Sequence, residues 1–219
     1  LLGGQRQPPG PGGGLPARRA RRRRLAVLLD SSNRAFTEPW AENFCARFEE
    51  RGGEVVARLS YNTKADDVRF IDLAEEIQAA GADAVLILAS ALDSAMLCQQ
   101  LKKLGVEAAL YGSDWSFSGH LVTYGGESVE GFSFSTSIDL SSEKPEFKAF
   151  RQRYFDRYSV DPQFPAILSY EATRLVLRAL GERRGSEPLR AALQRIRTIE
   201  GLHGPFSMDR FGDVTRFTH

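Results

Sequence analysis

The adjacent residues Asp114 and Trp115 form the pair in this 219-residue sequence whose types point most directly to a binding chemistry. A carboxylate beside an indole face can hold an ammonium group through ion pairing and cation–π contact. A solvated loop acid beside a packed tryptophan is the alternative interpretation. The pair is therefore a candidate site for an ammonium group. Whether it can bind one depends on where the surrounding helices and strands place it.

Polar segments follow four apolar runs that have the composition of β-strands. The segments are residues 30–33, 60–62, 90–93 and 112–115. In open α/β sheets, ligands bind beyond the carboxyl ends of the strands, so these segments are expected to border one site. They supply hydroxyl, amide, aromatic and carboxylate groups with little positive charge. Such a site suits a small ligand with a cationic or hydrogen-bonding head.

Sequence motifs for nucleotide, metal and covalent chemistry are missing. No strand is followed by a G-x-G-x-x-G or G-x-x-x-x-G-K-[ST] loop, which disfavours a dinucleotide or nucleoside triphosphate site. No G-x-S-x-G elbow occurs, and no histidine follows a strand where it could serve a nucleophile. The three histidines, His120, His203 and His219, are not at metal-ligand spacing. We therefore predict no enzymatic activity, no metal and no cofactor.

Asp30 ends the first predicted strand and has two interpretations. With a second acidic residue it could hold a metal, as in phosphorelay receivers or in hydrolases that remove halide. Capping of a turn or of the next helix, through Ser31 and Asn33, is the favoured interpretation. A receiver-like or flavodoxin-like enzyme would need an acid cluster or a phosphate loop at this point, and Asp30 stands alone in the sequence.

The elements that must position these residues alternate between strand and helix over residues 25–137. Strands are predicted at residues 25–29, 54–61, 84–89, 108–111 and 131–137. Helices between them are indicated by apolar residues three or four positions apart, such as Trp40, Phe44 and Phe48. This alternation predicts an α/β fold with a doubly wound, mostly parallel sheet. A strand order of 2-1-3-4 with right-handed crossovers would place the first and third helices on opposite faces.

Residues 138–219 have a different, mainly helical pattern. Helices are predicted at 143–158, 165–180 and 189–196, and a hairpin is predicted from 205–208 and 214–216. We expect this region to have no sheet of its own. Its first helix carries an aromatic stripe made of Phe147, Phe150, Tyr154 and Tyr158. Buried aromatic side chains cover roughly 150–250 Å² each, so the stripe is expected to need a large apolar partner.

The first 24 residues differ in composition from the rest of the chain. They contain six glycines, four prolines, seven arginines and no acid, so residues 25–219 carry 22 bases against 28 acids and a net charge of −6. A basic segment can bind nucleic acid or an acidic membrane surface. A disordered, solvated tail is favoured here, with no nucleic-acid partner, because nothing apolar in the segment is periodic. The apolar run that follows is too short for a signal peptide or a membrane-spanning helix.

The two cysteines, Cys45 and Cys98, are expected to be unpaired thiols. Each lies within a predicted helix, and the crossover rule places those helices on opposite faces of the sheet. A disulfide needs Cα atoms within about 7 Å of one another, which that arrangement does not allow.

Short segments spread over the chain together carry a family resemblance. LAVLLD (25–30), GGEVV (52–56), GADAVLI (81–87), QQLKKLG (99–105) and GSDW (112–115) are weak motifs singly, but their order and spacing are fairly specific. With EG (130–131), YEA (170–172) and GD (212–213), they resemble the type I periplasmic solute-binding proteins, which serve ABC importers of branched-chain amino acids and amides.

The resemblance implies two α/β lobes joined by three crossovers, with the ligand held between them. It maps residues 25–137 onto the second lobe as an α/β ligand-binding lobe. Residues 138–219 map onto a helical segment that returns to the other, incomplete lobe. The start of the first lobe has no counterpart, and residues 1–24 form a Gly/Pro/Arg-rich tail in its place. The sequence therefore looks like a fragment of a family member. The expected partner of the aromatic stripe is the absent first-lobe sheet, so we expect the chain alone neither to bind its solute tightly nor to fold uniformly.

The resemblance also implies which residues of the second lobe contact the ligand. An aromatic after the first strand, a residue after the third and an acid after the fourth align with Phe36, Ser90 and Asp114, and Trp115 adjoins them. Phe36 lacks the hydroxyl of the tyrosine that is common there, and Ser90 replaces an aromatic of some members. These two departures count against a branched-chain side chain in the ligand. Asp114 remains suited to an amine-bearing ligand.

The function implied is that of an extracytoplasmic solute-binding component of an ABC importer. It would bind a small amine-bearing solute, such as a branched-chain amino acid or amide, and deliver it to a permease of the inner membrane. The location implied is periplasmic or extracellular, with a lipid anchor compatible with the family. An effector-sensing domain of a receptor or transcriptional regulator with the same fold is the alternative.

Overall fold

The computed structural model describes residues 22–64 and 67–215. Predictions for residues 1–21 lie outside this part of the chain. Its strands are β1 (Arg24–Asp30), β2 (Glu54–Tyr61), β3 (Ala84–Leu88), β4 (Ala109–Ser113), β5 (Ser133–Ser135), β6 (Thr198–Gly201), β7 (Gly204–Met208) and β8 (Val214–Thr215). Its α-helices are α1 (Arg34–Glu50), α2 (Phe70–Ala79), α3 (Ala91–Lys103), α4 (Gly119–Gly125), α5 (Pro145–Tyr158), α6 (Phe164–Gly181) and α7 (Leu189–Arg195). None of these helices has the length and apolar character that a membrane crossing requires.

The first five strands form one parallel sheet in the order β2-β1-β3-β4-β5. The predicted α/β fold and the predicted strand order are therefore confirmed. β3 lies in the middle, and all five of its residues are buried, as its continuous apolar sequence indicates. Helix α1 packs on one face of the sheet, and α2 and α3 pack on the other. All five strands run the same way, so their carboxyl ends meet at one edge.

The first strand begins at Arg24, one residue before the strand predicted at residues 25–29. The backbone N–H of Arg24 donates to Asp83 Oδ1 at 2.9 Å. Its guanidinium donates to the carbonyls of Ala80 (2.8 Å) and Gly81 (2.9 Å) at the end of α2. The last carbonyls of a helix lack intrahelical partners and attract cations, so Arg24 stabilises that helix end.

The second region has a sheet, which corrects the prediction that residues 138–219 have none. β6, β7 and β8 form a three-stranded antiparallel sheet, in which the predicted hairpin of β7 and β8 is confirmed. The strand that the sequence did not reveal is β6. It has only four residues, it follows α7 closely, and only Ile199 within it is a large apolar residue. Its alternation of exposed and buried residues is therefore too short to be recognised without its partner strand.

The aromatic stripe of α5 is largely covered within the chain, which corrects the expectation that it needs an absent partner. Phe147 is 1% exposed and Phe150 is 5% exposed. They pack in a cluster with Ile138, Ile167 and Leu202, which come from the crossover after β5, from α6 and from the β6–β7 turn. The second half of the stripe is less covered, because Tyr154 is half-buried and Tyr158 is exposed.

Cys45 and Cys98 are free thiols, and they belong to the apolar clusters on opposite faces of the parallel sheet. Burial raises the pKa of the Cys45 thiol, and it raises the pKa of Cys98 to about 12. Since both are buried and protonated at neutral pH, we expect neither to react with a thiol reagent within minutes in the native chain. After unfolding, both thiols should react. Loss of this pair of reactive thiols in the unfolded chain would contradict the arrangement.

Candidate functional site

The edge formed by the carboxyl ends of the parallel strands brings Phe36, Asp114 and Trp115 to one place. Asp114 and Trp115 occupy a 3-10 turn, Asp114–Ser116, that follows β4 directly. Phe36 lies in the first turn of α1, beyond the end of β1. The rings of Phe36 and Trp115 meet edge to face, with centroids 6.0 Å apart and planes at 88°. This is a favourable arrangement of two aromatic quadrupoles, so each ring holds the other in place.

The turn that carries Asp114 and Trp115 is fixed by a buried pair of hydroxyls. Ser116 Oγ donates to the carbonyl of Ala89 at the end of β3 (3.1 Å), and Ser94 of α3 bonds to Ser116 Oγ at 3.0 Å. Both serines are fully buried. Because buried polar groups are costly to leave unpaired, these bonds set the position of the turn relative to β3 and α3.

The Asp114 side chain is half-buried at the end of β4. Burial raises the pKa of its carboxyl, and the backbone N–H groups of Asp114 and Trp115 partly offset that effect. No Lys or Arg in the described ranges forms an ion pair with it. A partly desolvated carboxylate of this kind gains from an incoming cation, since the cation supplies a counter-charge that none of the described residues supplies.

Ser90 lies at the same edge but has a different local role. Its Oγ accepts the N–H of Asp93 at 3.2 Å and caps the start of α3. Tyr61 on β2 donates its hydroxyl to Asp93 Oδ2 at 2.9 Å. Between the described residues, no hydrogen bond joins Ser90 to Asp114 or Trp115. Ser90 thus belongs to the edge through its position, and its hydroxyl oxygen holds a helix terminus.

Asp30 caps a turn, in agreement with the favoured interpretation, although its partners differ from those expected. Its carboxylate accepts the N–H (2.8 Å) and Oγ–H (2.7 Å) of Ser32, and the Oγ1–H of Thr63 at 3.0 Å. Ser31 instead donates to the carbonyl of Tyr61 at 2.8 Å. The described residues contain no His, Cys, Asp and Glu cluster that could hold a metal ion. Asp30 therefore joins the loop after β2 to the end of β1.

We expect the Asp30→Asn variant to lose about 1–3 kcal/mol of unfolding free energy at pH 7, because the amide cannot accept all the bonds that the carboxylate accepts. Burial by itself raises the pKa of Asp30, but the hydrogen bonds from Ser32 and Thr63 outweigh it and lower the pKa below its ordinary value. The contribution of the carboxylate is therefore present at neutral pH and lost as pH falls through the folded pKa. Urea unfolding at several pH values should show the difference between variant and parent shrinking in acid, and a constant difference would contradict this.

A cleft of about 630 Å³ opens beside this edge, between the parallel sheet and the elements around α6. It is lined from the parallel-sheet side by Trp40 and Asp114, and from the segment after β5 by Ser135, Thr136 and Ser137. The opposite wall is formed by Leu168, Glu171, Ala172, Leu175, Phe206, Val214 and Thr215. Of the four predicted site residues, only Asp114 lines the cleft directly.

Trp40 and Glu171 are lining residues that the sequence did not identify as functional. Trp40 lies one helical turn after Phe36 on α1 and stacks on Phe44, with ring centroids 5.7 Å apart. The i, i+4 spacing from Phe36 was the available signal for it. Glu171 is 3% exposed, and its Oε1 accepts the N–H of Leu202 at 2.7 Å. A Cβ at Gly201 would lie 2.6 Å from this oxygen and 2.8 Å from the backbone carbonyl oxygen of Gly204, so this position favours glycine.

Comparison with known proteins gives one family match and many structural ones. A family model described as periplasmic binding protein matches residues 10–216. No curated protein sequence matches the chain significantly.

Three solved structures illustrate the structural likeness. A leucine binding protein LivK from Thermotoga maritima has a TM-score of 0.80 at 24% identity, over 90% of this chain and 56% of its own. The branched-chain amino acid transporter substrate binding protein LivJ from Streptococcus pneumoniae, in complex with isoleucine, has a TM-score of 0.76 at 19% identity, over 89% of this chain and 55% of its own.

The third structure is an ABC transporter solute binding protein from R. palustris in complex with benzoate. Its TM-score is 0.77 at 18% identity, over 90% of this chain and 54% of its own. The chain therefore has the fold of these proteins and spans a little over half of their length.

Proposed function

Because the chain belongs to the periplasmic binding protein family, we propose that it binds a small amine-bearing solute, such as a branched-chain amino acid or amide, for an ABC importer. Family members are solute-binding proteins rather than enzymes. Three structural neighbours are described as a leucine binding protein, a protein bound to isoleucine and a protein bound to benzoate. Because these three neighbours are described with different solutes, we infer the solute of this chain from its own residues.

The environment of the Asp114 carboxyl is the observation that favours an amine-bearing solute. This carboxyl is partly desolvated and borders the cleft, and the groups described around it that favour its charged form are backbone N–H groups. An ammonium placed against it would gain a charge-assisted hydrogen bond. The Trp115 ring adjoins Asp114 and meets Phe36 edge to face, and in this proposal it supplies a π face to the same cation.

In this proposal Phe36, Asp114 and Trp115 contact the solute head, and Ser90 shapes the edge by fixing α3. The proposed partner is an ABC permease of the inner membrane, and the proposed location is periplasmic or extracellular. The chain spans 56% of the length of the leucine binding protein, so closure of two lobes around the solute also belongs to the proposal.

Isothermal calorimetry on the 219-residue chain tests the proposal with amino acids, their amides and simple amines at up to millimolar concentration. We expect at least one amine-bearing compound to bind with a stoichiometry of one. We expect benzoate, which has no amine, not to bind. A folded chain that binds none of the amines, or that binds benzoate as well as it binds any amine, would contradict the proposal.

A further inference from the structure

The turn that carries Asp114 and Trp115 is joined to neighbouring elements through its last residue, Ser116. The Ser116 hydroxyl donates to the carbonyl of Ala89, the residue that follows β3, at 3.1 Å. The hydroxyl of Ser94 lies 3.0 Å from the same Ser116 oxygen. Since Ser116 has a single hydroxyl proton and gives it to Ala89, Ser94 is the donor in the second bond. Two hydrogen bonds therefore meet at one atom of the turn.

Both of these bonds lie in the interior of the protein. Ser94 and Ser116 are fully buried, so their hydroxyls are shielded from water and from any solute in the cleft. A buried donor or acceptor that loses its partner bears the full cost of its desolvation. Any displacement of the turn that breaks these bonds is therefore unfavourable, and the turn keeps one position relative to the end of β3 and the start of α3.

The first turn of α3, which carries Ser94, is itself held by two other hydrogen bonds. The Ser90 hydroxyl oxygen accepts the N–H of Asp93 and caps the start of the helix. The Asp93 carboxylate accepts the hydroxyl of Tyr61, at the end of β2, at 2.9 Å. Ser94 therefore donates from a helix end whose own position is fixed, as a rigid support for a binding residue requires.

The residues proposed to contact the solute head lie directly before Ser116 in the chain. Asp114 and Trp115 are two residues and one residue before it, so a displacement of Ser116 moves both. The edge-to-face contact between Trp115 and Phe36 would change with the same displacement. Groups displaced by about 1 Å from their productive positions lose much of their interaction with a ligand. The solute affinity should therefore depend on the hydroxyl pair.

We propose that Ser116 and Ser94 are positioning residues of the solute site. Their buried hydroxyl pair holds Asp114 and Trp115 where these two side chains meet the solute, and neither hydroxyl contacts the solute itself. Ser94 acts through Ser116, so its effect on affinity depends on the Ser116 hydroxyl. This inference rests on the proposed function of the same site.

Three variants of the 219-residue chain test the proposal: Ser116→Ala, Ser94→Ala and the double variant. Calorimetric titration with leucinamide gives the affinity of each, and circular dichroism shows that each is folded. In the ligand-free chain, the indole N–H signal of Trp115 in the ¹H–¹⁵N spectrum reports the position of the turn. The signal of Trp40, the chain's other tryptophan, is the internal reference on α1.

Ser128→Ala is the matched control. The Ser128 hydroxyl also donates to a backbone carbonyl, that of Gly125. It does so in a different turn, Gly126–Val129, which follows α4. The control therefore makes the same chemical change without removing a bond to the turn at Asp114, and it should alter neither the affinity nor the Trp115 signal.

We expect Ser116→Ala to shift the Trp115 signal, to leave the Trp40 signal nearly unmoved, and to weaken leucinamide binding about tenfold. Ser94→Ala should cause smaller changes of the same kind. The double variant should match Ser116→Ala, because residues that act through one contact do not have additive effects.

A folded Ser116→Ala variant with the Trp115 signal and affinity of the parent would overturn the inference and leave the proposed function standing. Losses that simply add in the double variant would do the same. If Ser116→Ala does not fold, Ser94→Ala decides by the same two readouts. A folded parent chain that binds no amine would contradict the proposed function and, with it, a role of the hydroxyl pair in solute binding.

Discussion

The Asp114→Asn variant is expected to bind a cationic amine about 30-fold more weakly than the parent chain, or weaker still. Asparagine keeps the shape of the side chain and one acceptor oxygen, so the change removes the negative charge and little else. Loss of one partner from a buried, hydrogen-bonded charge pair costs about 2–5 kcal/mol. Each 1.4 kcal/mol is about a factor of ten in the dissociation constant. Calorimetric titration with leucinamide measures the change directly.

Glu75→Gln is the matched control for this substitution. Glu75 lies exposed on α2, on the face of the parallel sheet that α2 and α3 cover, and it also contributes one negative charge to the same lobe. Its removal should change the affinity by less than about a factor of two, because exposed charges act weakly through water. Equal losses in the two variants would show that the general charge of the lobe, and not Asp114, holds the amine.

The Phe147→Ala variant is expected to lose about 3–5 kcal/mol of unfolding free energy, the usual cost of truncating a buried phenylalanine. Phe147 is 1% exposed, and it contacts the crossover, α6 and the β6–β7 turn through its cluster. Its ring also lies 4.6 Å from that of His203 in the β6–β7 turn. The truncation therefore leaves a cavity in the cluster that joins these elements. Urea unfolding followed by circular dichroism gives the change.

Phe155→Ala on the same helix provides the comparison. Phe155 is 48% exposed, so its truncation removes far less buried surface and should cost about 1 kcal/mol or less. If the aromatic stripe instead needed an absent partner, both truncations would have similarly small effects. A small and equal loss in the two variants would thus restore the expectation that the stripe is uncovered.

Local sequence pattern was sufficient to predict the parallel sheet, because each of its elements has a strong signal of its own. β3 is an unbroken apolar run, and Gly52, Gly81 and Gly105 follow the ends of α1, α2 and α3 with positive φ angles. β6 lacks such a signal, since it is short and its partner β7 alone defines its register. The aromatic stripe of α5 was visible, but what covers it depends on Leu202, far away in sequence.

The candidate site was predictable where position after a strand determines it. Phe36, Asp114 and Trp115 follow β1 and β4, and the parallel sheet brings them together. The role of Ser90 at the start of α3 has a sequence signal of its own, because a serine three residues before Asp93 is the pattern of a helix N-cap. Glu171 could not be predicted, since its place in the cleft wall depends on how α6 packs against the rest of the chain.

The most direct test of an amine site at this edge is a titration of the two tryptophan indole N–H signals in the ¹H–¹⁵N spectrum of the chain. Trp115 adjoins Asp114, and Trp40 lines the same cleft, so each signal reports on the site itself. We expect leucinamide to shift both indole signals along one saturating curve, and the Asp114→Asn variant to show much smaller shifts at the same concentrations. Binding that leaves both indole signals unmoved, or shifts that persist unchanged in the variant, would contradict the site.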